Sequence, residues 1–355
     1  MRKDWIAGAL AACLLLTGCG AGAETANDTE TSAGSSAQTN TEEPVSKEIF
    51  SMDTYMTVTA YGENGQKAVD AAEQEIERLD ALLSTGSADS EISKLNAAGT
   101  GQLSEDSAEL VSRALEINEG TDGAFDITVY PLMQEWGFTD EAYRVPSDSE
   151  LAALLEKTGS DRLDWDADSS TLALGDGQAI DLGGIAKGYT SGRIMELFDE
   201  CDVTSGMVSL GGNVHVYGSK PDGSKWRIGV QDPENSEDIA GVLEVTDCAV
   251  ITSGGYERYF EQDGTTYHHI IDPSTGKPAD SGLSSVTIVS ADGTLADGLS
   301  TALFVMGADR ATEYWRQHAD EFDVVLIADD GTISVTEGIA DVFSSDHPFE
   351  TISQQ

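Results

Sequence analysis

Positive charge is what this sequence has least of. Among its 355 residues, 19 are lysine or arginine and 64 are aspartate or glutamate. The formal net charge of −45 argues against nucleic acid or an anionic membrane surface as a partner, since both attract basic proteins. Any anionic ligand must therefore be held locally, by a metal ion, by glycine backbone or by a placed lysine.

Cysteine is also scarce, with four in the whole chain. Cys13 and Cys19 lie in the N-terminal segment, which leaves Cys201 and Cys248 for the rest of the protein. Because these two show neither a CxxC pattern nor histidine spacing, the sequence offers no zinc cluster. They could form a disulfide in an exported protein or remain as thiols in the core.

The apolar run at residues 6–16 is too short to span a bilayer comfortably, and it follows a basic start, as in a secretory signal. It ends in Leu16-Thr-Gly-Cys19, which resembles a bacterial lipobox. We therefore predict a signal peptide at residues 1–18, a lipid anchor on Cys19, a flexible tether at residues 19–45 and a folded domain at residues 46–350. This arrangement places the domain on the extracytoplasmic face of the bacterial membrane. In the alternative, the signal is an ordinary one and Cys19 is incidental.

The stretch at residues 180–198 predicts a strand end, a glycine turn and the start of a helix. Asp181 leaves the apolar strand, Gly183 and Gly184 form the turn, and Lys187 lies in the first part of the helix. Glycines let backbone approach a ligand, and the free N–H groups of a helix N-terminus attract phosphate. The other interpretation is a tight turn followed by a solvated lysine.

Two adjacent histidines, at positions 268 and 269, lie in a predicted strand. Successive side chains of a strand point to opposite faces, so at most one of them faces a given site. A histidine there could relay a proton, because its ordinary pKa lies near neutrality. It could equally be a surface or hydrogen-bonded core histidine. Asp272 follows in a sequence typical of a turn, which it could simply cap.

Residues 294–307 predict a helix that ends at Gly307. Asp297 and Thr301 are four residues apart, so both side chains project from one face near its start. A carboxylate, a hydroxyl and a backbone carbonyl from a glycine turn form the hard oxygen set that Mg²⁺ takes while it keeps some waters. In the alternative, Asp297 caps the helix and the Thr301 hydroxyl bonds back to it.

Seven short motifs, in order along residues 48–345, resemble those of the ApbE family of FAD:protein FMN transferases. Each motif is weak alone, but their shared order makes the resemblance specific. They are Met52-Asp-Thr, Ser90-Glu-Ile-Ser-Lys-Leu-Asn96, Gly123-Ala-Phe-Asp126, Asp181-Leu-Gly-Gly-Ile-Ala-Lys-Gly188, Ser209-Leu-Gly-Gly-Asn213, His269-Ile-Ile-Asp-Pro-Ser-Thr-Gly276 and Ala296-Asp-Gly-Leu-Ser-Thr-Ala302.

The resemblance implies a two-lobed α+β protein with antiparallel sheets and packed helices, which binds FAD in the cleft between the lobes. It implies a Mg²⁺ ion at the pyrophosphate, with Mn²⁺ as the alternative. Such an enzyme moves FMN from FAD onto a threonine hydroxyl of an acceptor flavoprotein, through a phosphoester bond, and releases AMP.

The resemblance also assigns roles to residues of this chain. It places the Gly184 carbonyl, Asp297 and Thr301 on metal-ligand positions, with Ser300 as a neighbour, and His269 on an active-site position. We expect His269 to be the base, with Asp181 and Asp126 as alternatives. The residues expected to contact FAD are Met52, Ala124, Phe125, Asp126, Asp181, Lys187 and Ile271.

One position departs from the family pattern. Some members carry an aromatic or amide side chain at the position of Gly86, where it can cover the flavin or the adenine. Excluding water favours a protein acceptor over hydrolysis, so Gly86 leaves a metal-dependent FAD pyrophosphatase as an alternative function. A lipoprotein that binds flavin without chemistry is a third hypothesis.

Overall fold

The structure is a computed structural model, which describes residues 43–355. The predicted signal peptide, Cys19 and nearly all of the predicted tether lie outside these residues. None of the helices between residues 43 and 355 combines the length and the apolarity that a membrane crossing requires.

Helices account for most of the chain's longer elements. Short 3-10 helices also occur at Ile127–Val129 and Ser160–Arg162. The α-helices are α1 Gly65–Leu83, α2 Glu91–Ala98, α3 Glu105–Gly120, α4 Tyr130–Trp136, α5 Asp148–Leu155, α6 Gly183–Glu200, α7 Gly293–Met306, α8 Ala308–Gln317 and α9 Glu337–Ala340.

The strands are mostly short. They are β1 Val45–Ser51, β2 Thr54–Ala60, β3 Thr100–Gln102, β4 Asp164–Asp166, β5 Thr171–Ala173, β6 Ser205–Leu210, β7 Asn213–Gly218, β8 Trp226–Gln231, β9 Ile239–Val245, β10 Cys248–Gly254, β11 Tyr259–Gln262, β12 Thr265–His268, β13 Leu283–Ser290, β14 Asp323–Ala328, β15 Ile333–Thr336, β16 Phe343–Ser344 and β17 Phe349–Ile352.

A nine-stranded sheet runs in the order β1-β2-β6-β7-β10-β13-β14-β15-β17. Its pairs are antiparallel except for β15 with β17. A smaller lobe, residues 84–182, contains α2 to α5 and the sheet β3-β5-β4. Its helix α3 packs on α6 and α7, which lie against the large sheet. The predicted two-lobed α+β class is confirmed.

The hydrophobic core divides between the two faces of the large sheet. The main cluster fills the space around α3, α6 and α7, with Ile185, Leu299 and Phe304 fully enclosed. A second cluster lies between the sheet and the strands β8, β9 and β16. Cys201 and Cys248 are buried free thiols in different clusters, so no disulfide joins them.

The N-terminal part of the domain forms a hairpin. Alternation from Ile49 to Tyr61 predicts one strand, but the structure turns the chain at Met52 and Asp53, between β1 and β2. Both turn residues have positive φ, 48° and 58°. Because such turns usually carry glycine or asparagine, these two residues left no turn signal in the sequence. The predicted single strand is therefore wrong at this point.

The predicted helices α7 and α3 are both present, with starts that differ slightly from the prediction. Helix α7 has Gly307 as its C-cap, as predicted, and begins at Gly293, one residue earlier than predicted. A capping-box start at Asp106 and Glu109 predicts that α3 begins near Asp106, but its N-cap is Ser104. Asp106 instead pairs with Arg78 and accepts a hydrogen bond from Tyr189.

Candidate active site

The start of α6 is held in place by side chains of the smaller lobe. The side-chain amide of Asn96 donates to the Ile180 carbonyl and accepts from the Ile180 N–H, both at 2.8 Å. The Asp181 N–H donates to the Ile127 carbonyl at 2.9 Å. A Cβ at Gly184 would lie 3.1 Å from Cε2 of Phe125, so glycine lets the first turn of α6 pack on that ring. Gly183 and Gly184 are nevertheless exposed, which leaves their backbone open to a ligand.

Helices α6 and α7 meet at Gly188 and Asp297. The Gly188 N–H donates to Oδ2 of Asp297 at 2.8 Å, and the side-chain amide of Asn213 donates to Oδ1 at 2.8 Å. A Cβ at Gly188 would lie 2.1 Å from the Gly293 carbonyl oxygen, so only glycine permits this approach. In a helix the N–H of residue 188 points toward the carbonyl of residue 184, which brings the carboxylate to within one turn of Gly184.

The other predicted metal ligand, Thr301, lies one turn after Asp297 and is partly exposed. Its hydroxyl is 3.3 Å from the Ser253 hydroxyl, which is 2.8 Å from that of Ser300. The hydroxyl that bonds back to the helix is that of Ser300, which donates to the Asp297 carbonyl. The cap of α7 is Asp292, whose Oδ1 accepts from the Leu295 N–H. The alternative in which Asp297 caps the helix and Thr301 bonds back is therefore wrong.

Lys187 brings a positive charge to the start of α6. Among residues 43–355 it has no ion pair within 4.0 Å, but its charge acts on Asp181, Glu257 and Asp297. Burial raises the pKa of Asp181 and of Asp297, although Lys187 and backbone N–H groups act in the opposite direction. An uncommitted lysine in a strongly acidic protein is suited to an anionic ligand.

Glu257 follows β10, and sequence reasoning missed it. Solvent reaches its side chain, yet desolvation by the surrounding protein raises its pKa to about 7, with a further contribution from Asp297. Asp181 and His269 are likewise partly accessible to solvent while the surrounding protein desolvates them. This combination is typical of residues that line a cleft.

His268 and His269 contact different parts of the protein. The His268 ring lies 5.5 Å from the buried Phe304, and its Nε2 bonds to the Ala279 carbonyl. Nδ1 of His269 lies 3.1 Å from the Arg258 carbonyl, which can only accept, so Nδ1 carries the proton and Nε2 does not. Burial and the Arg258 guanidinium lower the pKa of His269 to about 3, so its ring stays neutral.

The chain belongs to the ApbE family. The model of that family matches residues 52–326. The chain is 35% identical over 264 residues to the FAD:protein FMN transferase of Vibrio cholerae, covering 72% of this chain and 78% of that protein. It is 31% identical over 293 residues to the protein of the same name from Escherichia coli K12, covering 79% of this chain and 84% of that one.

Solved ApbE structures share the fold. The ApbE protein of Thermotoga maritima superposes with a TM-score of 0.80 at 35% identity, over 84% of this chain and 99% of that one. The flavin transferase ApbE of Vibrio cholerae superposes with a TM-score of 0.77 at 30% identity, over 85% of this chain and 99% of that one. The family prediction made from the seven motifs is confirmed.

Several ApbE motif residues expected to contact FAD lie near the start of α6. Met52 is in the β1–β2 turn, where its N–H donates to Asp80, and its sulfur lies 3.9 Å from the Thr190 hydroxyl of α6. Ala124 and Phe125 are buried. Ile271 is also buried, within a small cluster around Leu132 and Trp136, which leaves little of its side chain for a ligand.

Asp126 holds the smaller lobe together. Its carboxylate accepts five hydrogen bonds, from the backbone and side chain of Thr128, the backbone and side chain of Ser160 and the amide of Asn118. A carboxylate has about four lone-pair sites, so this one is saturated. Asp126 is thus a structural anchor in this conformation, which argues against it as the alternative base.

Two other positions singled out in the sequence, Gly86 and Asp272, lie in exposed or partly exposed turns. Gly86 is exposed and follows Thr85, whose hydroxyl lies 3.4 Å from Asp181. Asp272 caps the turn after His269 by accepting from the backbone and side chain of Ser274, which confirms the simpler interpretation of this residue.

Besides Glu257, sequence reasoning missed two residues near Asp297 and Thr301, namely Asn213 and Ser253. The pair Gly211 and Gly212 predicts a bulge or a close ligand approach inside one strand. In the structure these glycines form the turn between β6 and β7, which places the Asn213 amide against Asp297.

Within residues 43–355 no three His, Cys, Asp or Glu side chains converge on a point that could hold a metal. A metal bound at Asp297 would therefore need hydroxyl, carbonyl, water and ligand oxygens as well.

Proposed function

We propose that this chain is a metal-dependent FAD:protein FMN transferase. The observation that carries the proposal is that three features lie together in the first two turns of α6. They are the exposed Gly183 and Gly184, Lys187, which has no ion pair among residues 43–355, and the carboxylate of Asp297, which is bound to the Gly188 N–H. A helix N-terminus and a lysine suit a diphosphate. Family membership and the names of the relatives from Vibrio cholerae and Escherichia coli support the reaction.

The donor set fits a hard divalent cation. Asp297, Thr301 and the Gly184 carbonyl would hold Mg²⁺ or Mn²⁺. Asp297 is buried and has no ion pair within residues 43–355, so a cation would stabilise its carboxylate. When bound there, the cation would neutralise charge on the phosphates. Lys187 adds a further positive charge from the protein.

In the proposed reaction, a threonine hydroxyl of an acceptor flavoprotein attacks the phosphorus on the FMN side of FAD. A new P–O bond forms, the bond to the bridging oxygen breaks, and AMP leaves. Nε2 of His269 can accept a hydrogen bond from the hydroxyl, but with a pKa of about 3 it holds a proton weakly. Burial raises the pKa of Asp181, so we assign the proton to that carboxylate.

The test is to incubate the soluble domain with FAD, Mg²⁺ and an acceptor flavoprotein domain. We expect a flavin-fluorescent acceptor band in a denaturing gel and one AMP per FMN transferred. Asp297→Asn should lower the rate by about a hundredfold or more, and should also abolish the effect of Mg²⁺ on FAD affinity. Asp309→Asn, on the exposed surface of α8, is the matched control and should transfer normally.

Three other outcomes would count against the proposal. A wild-type transfer rate in Asp297→Asn would rule out a metal site at this residue. AMP released without acceptor, and no acceptor band, would favour the FAD pyrophosphatase, which the exposed Gly86 also favours because nothing at this position excludes water. Tight FAD binding with no AMP under any condition would favour a non-catalytic flavin-binding lipoprotein.

We also propose that the protein is anchored by lipid on Cys19 at the extracytoplasmic face of the membrane. The support is the sequence alone: a basic start, a short apolar run and Leu16-Thr-Gly-Cys19. Cys19→Ser should abolish lipid labelling and release the protein from the membrane fraction. Labelling that persists in this variant would contradict the anchor.

A further inference from the structure

Two exposed aromatic side chains stand next to each other on the β1–β2 hairpin. Phe50 is 65% exposed and Tyr55 is 69% exposed, the highest values for large hydrophobic side chains in residues 43–355. They are directly paired across the strands, and their ring centroids are 5.1 Å apart in an edge-on arrangement. We call this pair the aromatic patch.

Single exposed hydrophobic residues are common on protein surfaces, whereas adjacent ones often mark an interaction site. Aromatic side chains are also among the residues that contribute most binding energy at interfaces. The opposite face of the same hairpin is occupied, since Ile49 and Met56 are buried against α1. The aromatic patch is therefore the side of the hairpin that remains for a partner.

The aromatic patch lies at the end of β1 and the start of β2, beside the β1–β2 turn. It immediately precedes and follows the turn that contains Met52, which contacts α6. Next to that turn, Thr54 packs closely on Gly211. A Cβ at Gly211 would lie only 2.5 Å from the Thr54 hydroxyl oxygen. Two residues beyond Gly211, Asn213 bonds to Asp297. The hairpin thus connects the aromatic patch to the reacting region through adjacent turns.

The charges around the aromatic patch are acidic. Glu48 is exposed on the same face of β1, two residues before Phe50, and Asp53 is exposed in the turn. The neighbouring Lys47 points to the other face and pairs with Glu73. Aromatic rings beside carboxylates attract lysine or arginine side chains, through cation–π contacts and charge.

We infer that the aromatic patch, with Glu48 and Asp53, docks a basic segment of the acceptor protein beside its reactive threonine. This inference rests on the proposed function. An acceptor must present its hydroxyl to the cleft, and a contact outside the cleft can hold it there without touching FAD. In a protein with a net charge of −45, a basic acceptor segment would also be attracted from a distance.

The test compares the double variant Phe50→Thr/Tyr55→Thr with wild type, using an acceptor domain that wild type flavinylates. Threonine keeps the strand propensity and removes the rings. We expect KM for the acceptor to rise about tenfold or more, while Kd for FAD changes less than about twofold. Ile239→Thr, 45% exposed on a different sheet, is the matched control and should leave both values unchanged.

A charge exchange tests the chemistry of the partner. Glu48→Lys should weaken transfer to an acceptor with lysines beside its threonine, and should improve transfer when those lysines are replaced by glutamates. An effect of the same size and sign on both acceptors would overturn the basic-segment inference.

The remaining outcomes separate the inference from the function on which it rests. If wild-type protein flavinylates no acceptor, the proposed function and the docking site are both contradicted. If wild type transfers normally and the double variant keeps the wild-type KM for the acceptor, only the docking site is contradicted. The inference is also wrong if the double variant shows a different loss. Weaker FAD binding would mean that the aromatic patch contacts FAD, and a change of oligomeric state would mean that it contacts a second copy of the chain. Weaker binding to neutral phosphatidylcholine vesicles would mean that it contacts a membrane.

Discussion

The side-chain amide of Asn213 donates a 2.8 Å hydrogen bond to Oδ1 of Asp297, which fixes the β6–β7 turn to α7. Both residues are buried, at 3% and 5% exposure. The second oxygen of the carboxylate accepts from the Gly188 N–H, so two elements distant in sequence set its orientation. The orientation of Asp297, the proposed metal ligand, therefore depends on Asn213, which does not itself need to contact the metal.

Asn213→Ala should weaken both the fold and the metal site. It leaves a buried carboxylate with one donor fewer, which should lower the free energy of unfolding by about 1–3 kcal/mol. Loss of such an orienting contact should raise the Mg²⁺ concentration needed for half-maximal transfer by about 10- to 100-fold. Urea unfolding and a Mg²⁺ titration of the transfer rate measure the two effects.

The matched control is Asn64→Ala, at the N-cap of α1, where the asparagine side chain makes no cap hydrogen bond. It should change neither quantity appreciably. A normal Mg²⁺ titration in Asn213→Ala would contradict the orienting role.

Local signals were enough to predict the helix that carries Asp297 and Thr301. Its i,i+4 spacing and terminal glycine depend only on neighbours in sequence, and α7 follows them. The cleft position of Glu257 could not be predicted in this way, because it depends on how β10 packs against α6 and α7. The turn at Met52 was missed for a different reason: two non-glycine residues with positive φ are stabilised there by the Asp80 carboxylate, which lies on α1.

Glu257 should make FAD affinity depend on pH. Its pKa is raised to about 7, so below that pH the side chain is neutral, and above it the carboxylate adds negative charge to a cleft that must hold a diphosphate. Kd for FAD at constant Mg²⁺ should therefore rise severalfold between pH 6 and pH 8. Glu257→Gln should remove this dependence and keep the affinity that wild type has at pH 6.

Equilibrium quenching of flavin fluorescence across this pH range measures the effect. Glu244→Gln, an exposed residue of β9, is the control and should show the wild-type pH dependence. An unchanged pH dependence in Glu257→Gln would show that another group is responsible.

His215 should make the fold sensitive to acid. It is 5% exposed, bonds to the Ser191 hydroxyl at 3.0 Å, and burial lowers its pKa to about 4. Between pH 6.5 and pH 4 the unfolded chain therefore binds a proton that the folded protein does not. The stability is complete above pH 6.5 and should fall by up to about 3 kcal/mol as the pH drops toward 4.

Urea unfolding at several pH values measures this loss. In His215→Gln the free energy of unfolding should vary less between pH 6.5 and pH 4 than in wild type. His347→Gln, an exposed residue near the C-terminus, should keep the wild-type slope. Equal slopes for wild type and His215→Gln would mean that other groups dominate the acid sensitivity.

Two glycines of α6 should respond in opposite directions to the same substitution. At Gly188 a methyl group would lie 2.1 Å from the Gly293 carbonyl oxygen and 2.5 Å from Cβ of Asp297, so Gly188→Ala must push α6 and α7 apart. We expect it to lower the free energy of unfolding by about 1–3 kcal/mol and to reduce transfer, because the Asp297 carboxylate moves with α7. At Gly192 no atom beyond the adjacent residues and the local helix backbone lies within 4 Å of the added methyl. Gly192→Ala should therefore raise the stability by about 0.5–1 kcal/mol, as expected of alanine in a helix interior, with normal transfer. Urea unfolding and the acceptor assay on the two variants measure the contrast. If Gly188→Ala is as stable and as active as Gly192→Ala, the close approach of α6 and α7 is not what holds Asp297 at the start of α6.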